Sequence, residues 1–300
     1  MSFSLTWKVT QQEVGMVLRD YLRTKKQISK RLLTDIKFSG GMILCNGQEV
    51  TVRYKVQVGD EVTIIFPKET RSESLQSTEM PLNILYEDDV LLIVNKPAGI
   101  PTIPSRFHPD YSLANGILYY YEKKKIQSTI HIVNRLDRDT SGVVIVAKHR
   151  FIHSLLSIEQ KQNRLKRTYE ALVSGVVREQ KGTIDLPIGR KEGSIIERAI
   201  DENGQQAITH FEVLRSFQSF THLRLTLETG RTHQIRVHMQ AYGHPLLGDE
   251  LYGGEKIEIN RQALHSKEAI FIHPLTGETL TIVAPLAEDM KAVIQKNAIP

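Results

Sequence analysis

Asn134-Arg135-Leu136-Asp137-Arg138-Asp139-Thr140-Ser141-Gly142 runs directly into Val143-Val144-Ile145-Val146-Ala147. The first part is the densest polar stretch in an otherwise apolar region, and ahead of it Ile130, Ile132 and Val133 are again apolar. A polar segment between two β-branched runs reads as a loop fixed by buried elements at both ends, and such loops are where catalytic groups collect. Asp, Thr, Ser and Gly also build turns and caps. From spacing alone both readings stand.

Outward from this loop, strand patterns recur at 91–94, 143–147, 168–173, 208–214, 222–228, 270–273 and 279–283. At 222–228 the alternation is clean, with Leu223, Leu225 and Leu227 on one face and Arg224, Thr226 and Glu228 on the other. Helical spacing appears at about 149–160, 232–242 and 286–297. The strand connections vary widely in length, which excludes a regular βαβ series. The expected fold for residues 80–300 is α+β, a mixed, largely antiparallel sheet with flanking helices and loops.

Upstream the pattern differs. Val14, Val17, Leu18, Tyr21 and Leu22 are spaced as one helix. Ser29 reads as the N-cap of a second, with Leu32, Leu33 and Ile36 on one face and Gly40-Gly41 at its end. Short strands follow around the Asn46-Gly47 and Gly59-Asp60 turns. Residues 12–66 thus read as a small α/β domain, and 67–79, with Leu75 as the one large apolar side chain, as a linker.

The 300 residues carry 39 Lys+Arg against 34 Asp+Glu, a net charge of +5. Residues 1–75 hold 12 bases and 8 acids, and 19–37 alone hold seven bases. A second cluster, Lys148, Arg150, Lys161, Arg164, Lys166 and Arg167, faces Glu159 alone. Two basic clusters on a near-neutral background suggest a polyanion partner, although solvated helix faces look similar. Cys45 is the single cysteine, which excludes an internal disulfide and a Cys-based zinc site. No apolar run approaches a membrane span and no leader-like apolar segment opens the chain, so the expectation is a reduced, cytoplasmic protein with no membrane partner. No phosphate-binding glycine loop, dinucleotide fingerprint or zincin motif occurs.

Two further segments bear chemistry. In 228–238, Gly230 ends a strand, Thr232 is placed to cap a helix, and Arg236 lies one turn on, able to pair with a carboxylate from another loop or grip a phosphate. His233 and His238 are five apart, a poor spacing for two ligands on one helix face, so no metal is expected. In 166–173, Tyr169 is a packing residue or, beside a basic cluster, a platform for a nucleobase.

Together these segments carry a resemblance. NRLDRDTSGVVIVAK (134–148), KRTYEALVSG (166–175) and ETGRTHQIRVHMQAYGHPLLGDELYG (228–253) resemble the signature segments of the RluA/RluD-type pseudouridine synthases, and HPLTGETLTIVAPL (273–286) their closing strand region. The match spans roughly residues 80–295. ISKRLL, NGQEV and VGDEV make 12–66 similar to an S4-type RNA-binding domain. The resemblance implies isomerisation of uridine to pseudouridine in RNA without cofactor or metal. It implies Asp137 as the catalytic carboxylate, Tyr169 as the active-site Tyr, Arg236 as the partner of Asp137 and Arg135 as the residue that replaces the flipped base. Arg231, with Arg23, Lys30 and Arg31 on the basic helices, are the other expected RNA contacts. The family usually has His where this chain has Asn134, which points to altered loop or RNA contacts. Large-subunit ribosomal RNA is the first expected substrate and transfer RNA the second, with a monomer as the working unit. Two other readings are a non-catalytic RNA-binding or ribosome-assembly protein on the same fold, and a hydrolase using Asp137 and Asp139 as paired carboxylates. Loop 100–130, with Tyr111, Tyr119, Tyr120 and Tyr121, is the expected source of substrate choice.

Overall fold

A computed structural model describes residues 3–72, 74–105 and 108–298. The N-terminal unit runs β1 (Ser4–Lys8), α1 (Leu18–Asp20), a π-helical turn (Tyr21–Lys25), α2 (Lys30–Phe38), β2 (Met42–Cys45), β3 (Gln48–Glu49) and β4 (Glu61–Ile65). Its antiparallel sheet has the order β1-β4-β2-β3. Helix α2 forms where expected: Ser29 Oγ accepts from Leu32 N, and Leu32, Leu33 and Ile36 are buried. Asn46 and Gly47, both at positive φ, make the two-residue turn between β2 and β3.

The helix predicted over 14–22 forms only from Leu18 onward, as a short α-helix that runs into a π-helical turn. Thr10 donates through N and Oγ1 to Glu13 Oε2, Gly15 sits at φ +80°, and helical geometry begins only at Leu18. The turn spends on itself the residues that the apolar spacing assigned to a helix. Strand β1 lies ahead of residue 12 and pairs with β4 along its full length.

The body continues as β5 (Ile84–Glu87), β6 (Leu91–Lys96), α3 (Leu113–Lys123), β7 (His131–Ile132), β8 (Ser141–Ala147), α4 (Arg150–Lys161), β9 (Lys166–Ser174) and β10 (Lys181–Asp185). Then come β11 (Ile188–Arg190), β12 (Arg198–Ile200), β13 (Ile208–Ser216), β14 (Phe220–Leu227), α5 (Gln234–Ala241), a 3-10 turn (Glu250–Tyr252), β15 (Leu264–Ile272), β16 (Thr279–Val283) and α6 (Glu288–Asn297). The main sheet has the order β10-β13-β14-β9-β15-β8-β6-β5, with β16 added to β15 and β7 to β8. Every pair is antiparallel except β15 with β8. The α+β, largely antiparallel fold is the one expected. β8 is buried at all seven positions, as a central strand covered on both faces must be.

The centre of the expected tyrosine loop at 100–130, with Tyr119, Tyr120 and Tyr121, is instead helix α3. Ser112 caps it, accepting from Asn115 N, and Tyr121 is wholly buried in the core. Tyr120 donates to Glu87 and Lys123 lies over the Tyr119 ring. A nearly continuous apolar run hides the helical period, which is why this helix is invisible in the pattern.

One apolar cluster joins the N-terminal unit to the body, with Leu22, Ile36 and Phe66 in contact with the set that includes Val143, Phe151 and Phe271. Phe66 stacks on Phe151 at 5.2 Å. Residues 67–79 lie along the junction. Glu69 accepts from Arg150 N at 2.8 Å, Arg71 donates to the carbonyls of Ile126 and Ser128, and Asn115 Nδ2 donates to Gln76 O. Among the described residues no helix is long and apolar enough to cross a membrane.

Candidate active site

The 134–141 loop is pinned from every side. Asn134 is buried, its amide donating to Val143 O and accepting from Ile145 N, so it stands in for a missing strand at β8. Its role is the loop contact, and its side chain does not face solvent. Thr102 Oγ1 donates to Leu136 O and accepts from Leu136 N. Lys96, fully buried, donates to the carbonyls of Pro97, Ile100 and Arg138. Burial pushes its pKa down to about 7, against the pull of Asp139 and Asp137. Arg261 donates to Asp139 O, and Ser141 Oγ bonds His265 Nδ1 at 2.9 Å. Backbone groups that would otherwise be orphaned are thereby satisfied, and the loop is rigid without regular structure.

This frame holds Asp137 with its carboxylate about a quarter exposed, Oδ2 accepting from Arg236 Nη1 at 3.2 Å. Arg236 is buried on α5, and Asp249 grips it through Nε and Nη2, both at 2.7 Å. Burial opposes the guanidinium charge, but Asp249 and Asp137 outweigh it and raise its pKa above the ordinary value. The Tyr252 ring lies under the guanidinium at 4.8 Å. A planar cation held bidentately by one carboxylate presents its remaining edge to a second one in a fixed direction.

His233 completes the surround, its Nε2 at 3.8 Å from Asp137 Oδ2 and its Nδ1 at 2.8 Å from the Tyr252 hydroxyl. That hydroxyl also accepts from Arg198 N, so it is held from two sides and fixes the His233 ring beside Asp137. Burial pushes the His233 pKa down, with Asp137 opposing. The expected cap Thr232 does not cap α5. His233 occupies the N-cap at φ +58°, and Gln234 folds back to accept from Thr229 and Arg231 N. A non-glycine residue held left-handed beside the carboxylate is local strain sustained by its surroundings. His238 bonds Thr209 and Leu186 O and takes no part in this cluster.

Tyr169, on β9 and 5% exposed, lines the same narrow pocket as Asp137, Arg135, Arg231 and Arg236. The site therefore gathers Asp137, Tyr169 and Arg236 with two of the expected RNA contacts. Arg23, Lys30 and Arg31 are exposed on the N-terminal unit and line neither pocket at Asp137. Of the second basic cluster only Arg167 reaches the site; Lys148, Arg150 and Arg164 pair with Glu87, Asp35 and Glu159. Asp249, Lys96, Thr102, His233 and Tyr252 lie outside the sequence-derived set. For Asp249 the DELYG stretch that ends the third signature segment was the available signal.

A sequence profile of the RNA pseudouridylate synthase family matches residues 90–241. The Bacillus subtilis protein YjbO, described as an uncharacterized RNA pseudouridine synthase, is 53% identical over 268 residues, 89% of this chain and 95% of its own. Ribosomal large subunit pseudouridine synthase D of Haemophilus influenzae is 37% identical, with 79% of this chain and 77% of that protein covered. The solved structure of human RNA pseudouridylate synthase domain containing 1 superposes with a TM-score of 0.58 at 26% identity, covering 73% of this chain and 96% of that one.

Proposed function

The chain belongs to the RNA pseudouridylate synthase family, and from that premise we propose that it converts specific uridines of large-subunit ribosomal RNA to pseudouridine in the cytoplasm, with Asp137 as the catalytic carboxylate. The observation that carries the assignment is the Asp137–Arg236 pair at 3.2 Å, with Arg236 held in turn by Asp249. The reaction breaks an N–C glycosidic bond, turns the base over and closes a C–C bond. A carboxylate serves it by attacking C1′, by adding to C6 of the base, or by removing a sugar proton to give a glycal. Each route needs an ionised carboxylate in a sheltered pocket, and the Arg236 cation favours that form.

Tyr169 supplies a ring face for the flipped base and Arg135, exposed at the cleft mouth, fills the vacated stack. Residues 12–66 act as an S4-like RNA-binding domain, with Arg23, Lys30 and Arg31 adding salt-dependent phosphate affinity. Relatives named as large-subunit enzymes support the choice of ribosomal RNA over transfer RNA.

The test is a map of pseudouridine in total RNA from cells with wild-type protein, with Asp137→Asn, and without the protein. One or a few ribosomal sites lost in both altered strains and restored by wild type are expected. Loss confined to transfer RNA would move the substrate. Loss only when the whole protein is absent would remove Asp137 from its role. No change anywhere, with salt-dependent RNA binding retained, would leave a binding protein.

A further inference from the structure

Arg167 lies on β9 two residues before Tyr169 and on the same face. It is 8% exposed, and among the described residues its guanidinium has no ion pair and its Nε no hydrogen-bond partner. Its guanidinium packs beside Gly230, where a Cβ would stand 2.9 Å from Nη2. Any other residue at 230 would push the guanidinium aside.

The side chain borders the cleft of about 580 Å3 that opens at Asp137. Arg135, Arg138, Arg198 and Arg231 line the same cleft, and its one carboxylate, Asp137, already faces Arg236. A buried cation without a counter-charge is a large penalty that neighbouring arginines increase. A bound anion removes it, and a phosphodiester, which accepts two parallel N–H bonds, matches the planar fork.

We propose that Arg167 is a phosphate-binding residue that grips the RNA backbone next to the nucleotide delivered to Asp137. This rests on the reading of the protein as a synthase acting on RNA. The four other arginines extend the same backbone path, and Arg167 differs from them in being preset in a buried position.

The test uses the full chain and an unmodified transcript of large-subunit ribosomal RNA, with wild type, Arg167→Met and Arg167→Lys. Affinity is measured across a potassium chloride series, and isomerisation at saturating RNA. Arg167→Met is expected to weaken binding about tenfold and to lower the slope of log affinity against log salt by about one, while the saturated rate stays within a few-fold. Arg167→Lys is expected to restore the slope and only part of the affinity. An unchanged slope and affinity with a higher melting temperature in Arg167→Met would make the residue purely structural and overturn the proposal. So would a lost saturated rate with an unchanged slope. Wild type that isomerises while the slope is insensitive to position 167 fails this inference alone. Wild type that forms no pseudouridine, yet loses slope on Arg167→Met, fails the synthase reading and leaves the phosphate site standing.

Discussion

Asp137 and Asp139 are two residues apart and do different work. Asp137 faces a preset arginine and the largely buried His233, whereas Asp139 is clamped by its neighbour Arg138 through Nε and Nη2. Asp137→Asn is therefore expected to abolish pseudouridine formation, and Asp139→Asn to lower it less than about tenfold, the size of one exposed ion pair. Equal abolition in a single-turnover assay would revive the paired-carboxylate reading. Arg236→Lys keeps a charge but loses the two-point grip of Asp249. A fall on the order of 100-fold in rate, with RNA affinity held, is expected from losing a preset partner of this kind. Asn134→Ala removes two buried hydrogen bonds, leaves Ile145 N without its partner and leaves Val143 O only the 3.4 Å bond from Ser266 Oγ, which should destabilise the fold by about 2–3 kcal/mol in urea titration. The identities of Asp137, Tyr169 and Arg236 were legible because each lies in a long, ordered motif. Lys96 and Thr102 were not, because their roles are carried by carbonyls and amides some 34 to 42 residues away.

Helices α4, α5 and α6 form within two residues of where their spacing put them, whereas β5, β7, β10, β11 and β12 carried no readable pattern and β15 starts six residues earlier than its pattern. β16 falls where its alternation put it, and β8, β9 and β14 differ only at their ends. α3 was masked by its own continuous apolarity, and the first turn of the 14–22 helix gave way to a turn with Gly15 at positive φ. The junction of β8 with β15 has no local signal at all, since it is parallel and only two residue pairs long. Gly142 sits in it at φ +112°, and a Cβ there would stand 2.1 Å from Ser266 O. Gly142→Ala should force the two strands apart at a penalty on the order of 3 kcal/mol, read as a lower urea midpoint. Synthase activity should fall further than stability does, because the Ser141–His265 and Asp139–Arg261 bonds that fix the Asp137 loop span the same junction.

The N-terminal unit and the body share one core, and Glu69 is a polar counterpart to it, bonded to Thr129, His131 and Arg150 N and lying 3.2 Å from His149. Burial would raise the Glu69 pKa, but its partners hold it at about 2, below the ordinary 4.5. Ionised Glu69 thus contributes stability present above pH 4.5 and lost as pH falls through about 2. Burial holds His149 at about 4, below its ordinary 6.5, so keeping it neutral loses stability as pH falls from 6.5 to about 4. Melting temperature should decline from pH 6.5 downward, and Glu69→Gln should flatten the part below 4.5. The sequence composition of 67–79 shows only a polar connector, because its partners come from segments 32 to 81 residues away. The parallel seam of β8 and β15 also sets a timetable. Asp137 meets Arg236 across 99 residues, and the loop that carries it meets His265 and Arg261 across more than 120. On a growing chain the carboxylate emerges early and its frame late. A polypeptide arrested between Tyr252 and β15 already holds Asp137, Tyr169, Arg236 and Asp249 but lacks the strand that fixes the Asp137 loop, so the nascent protein is expected to stay inert toward RNA chemistry until synthesis is nearly complete.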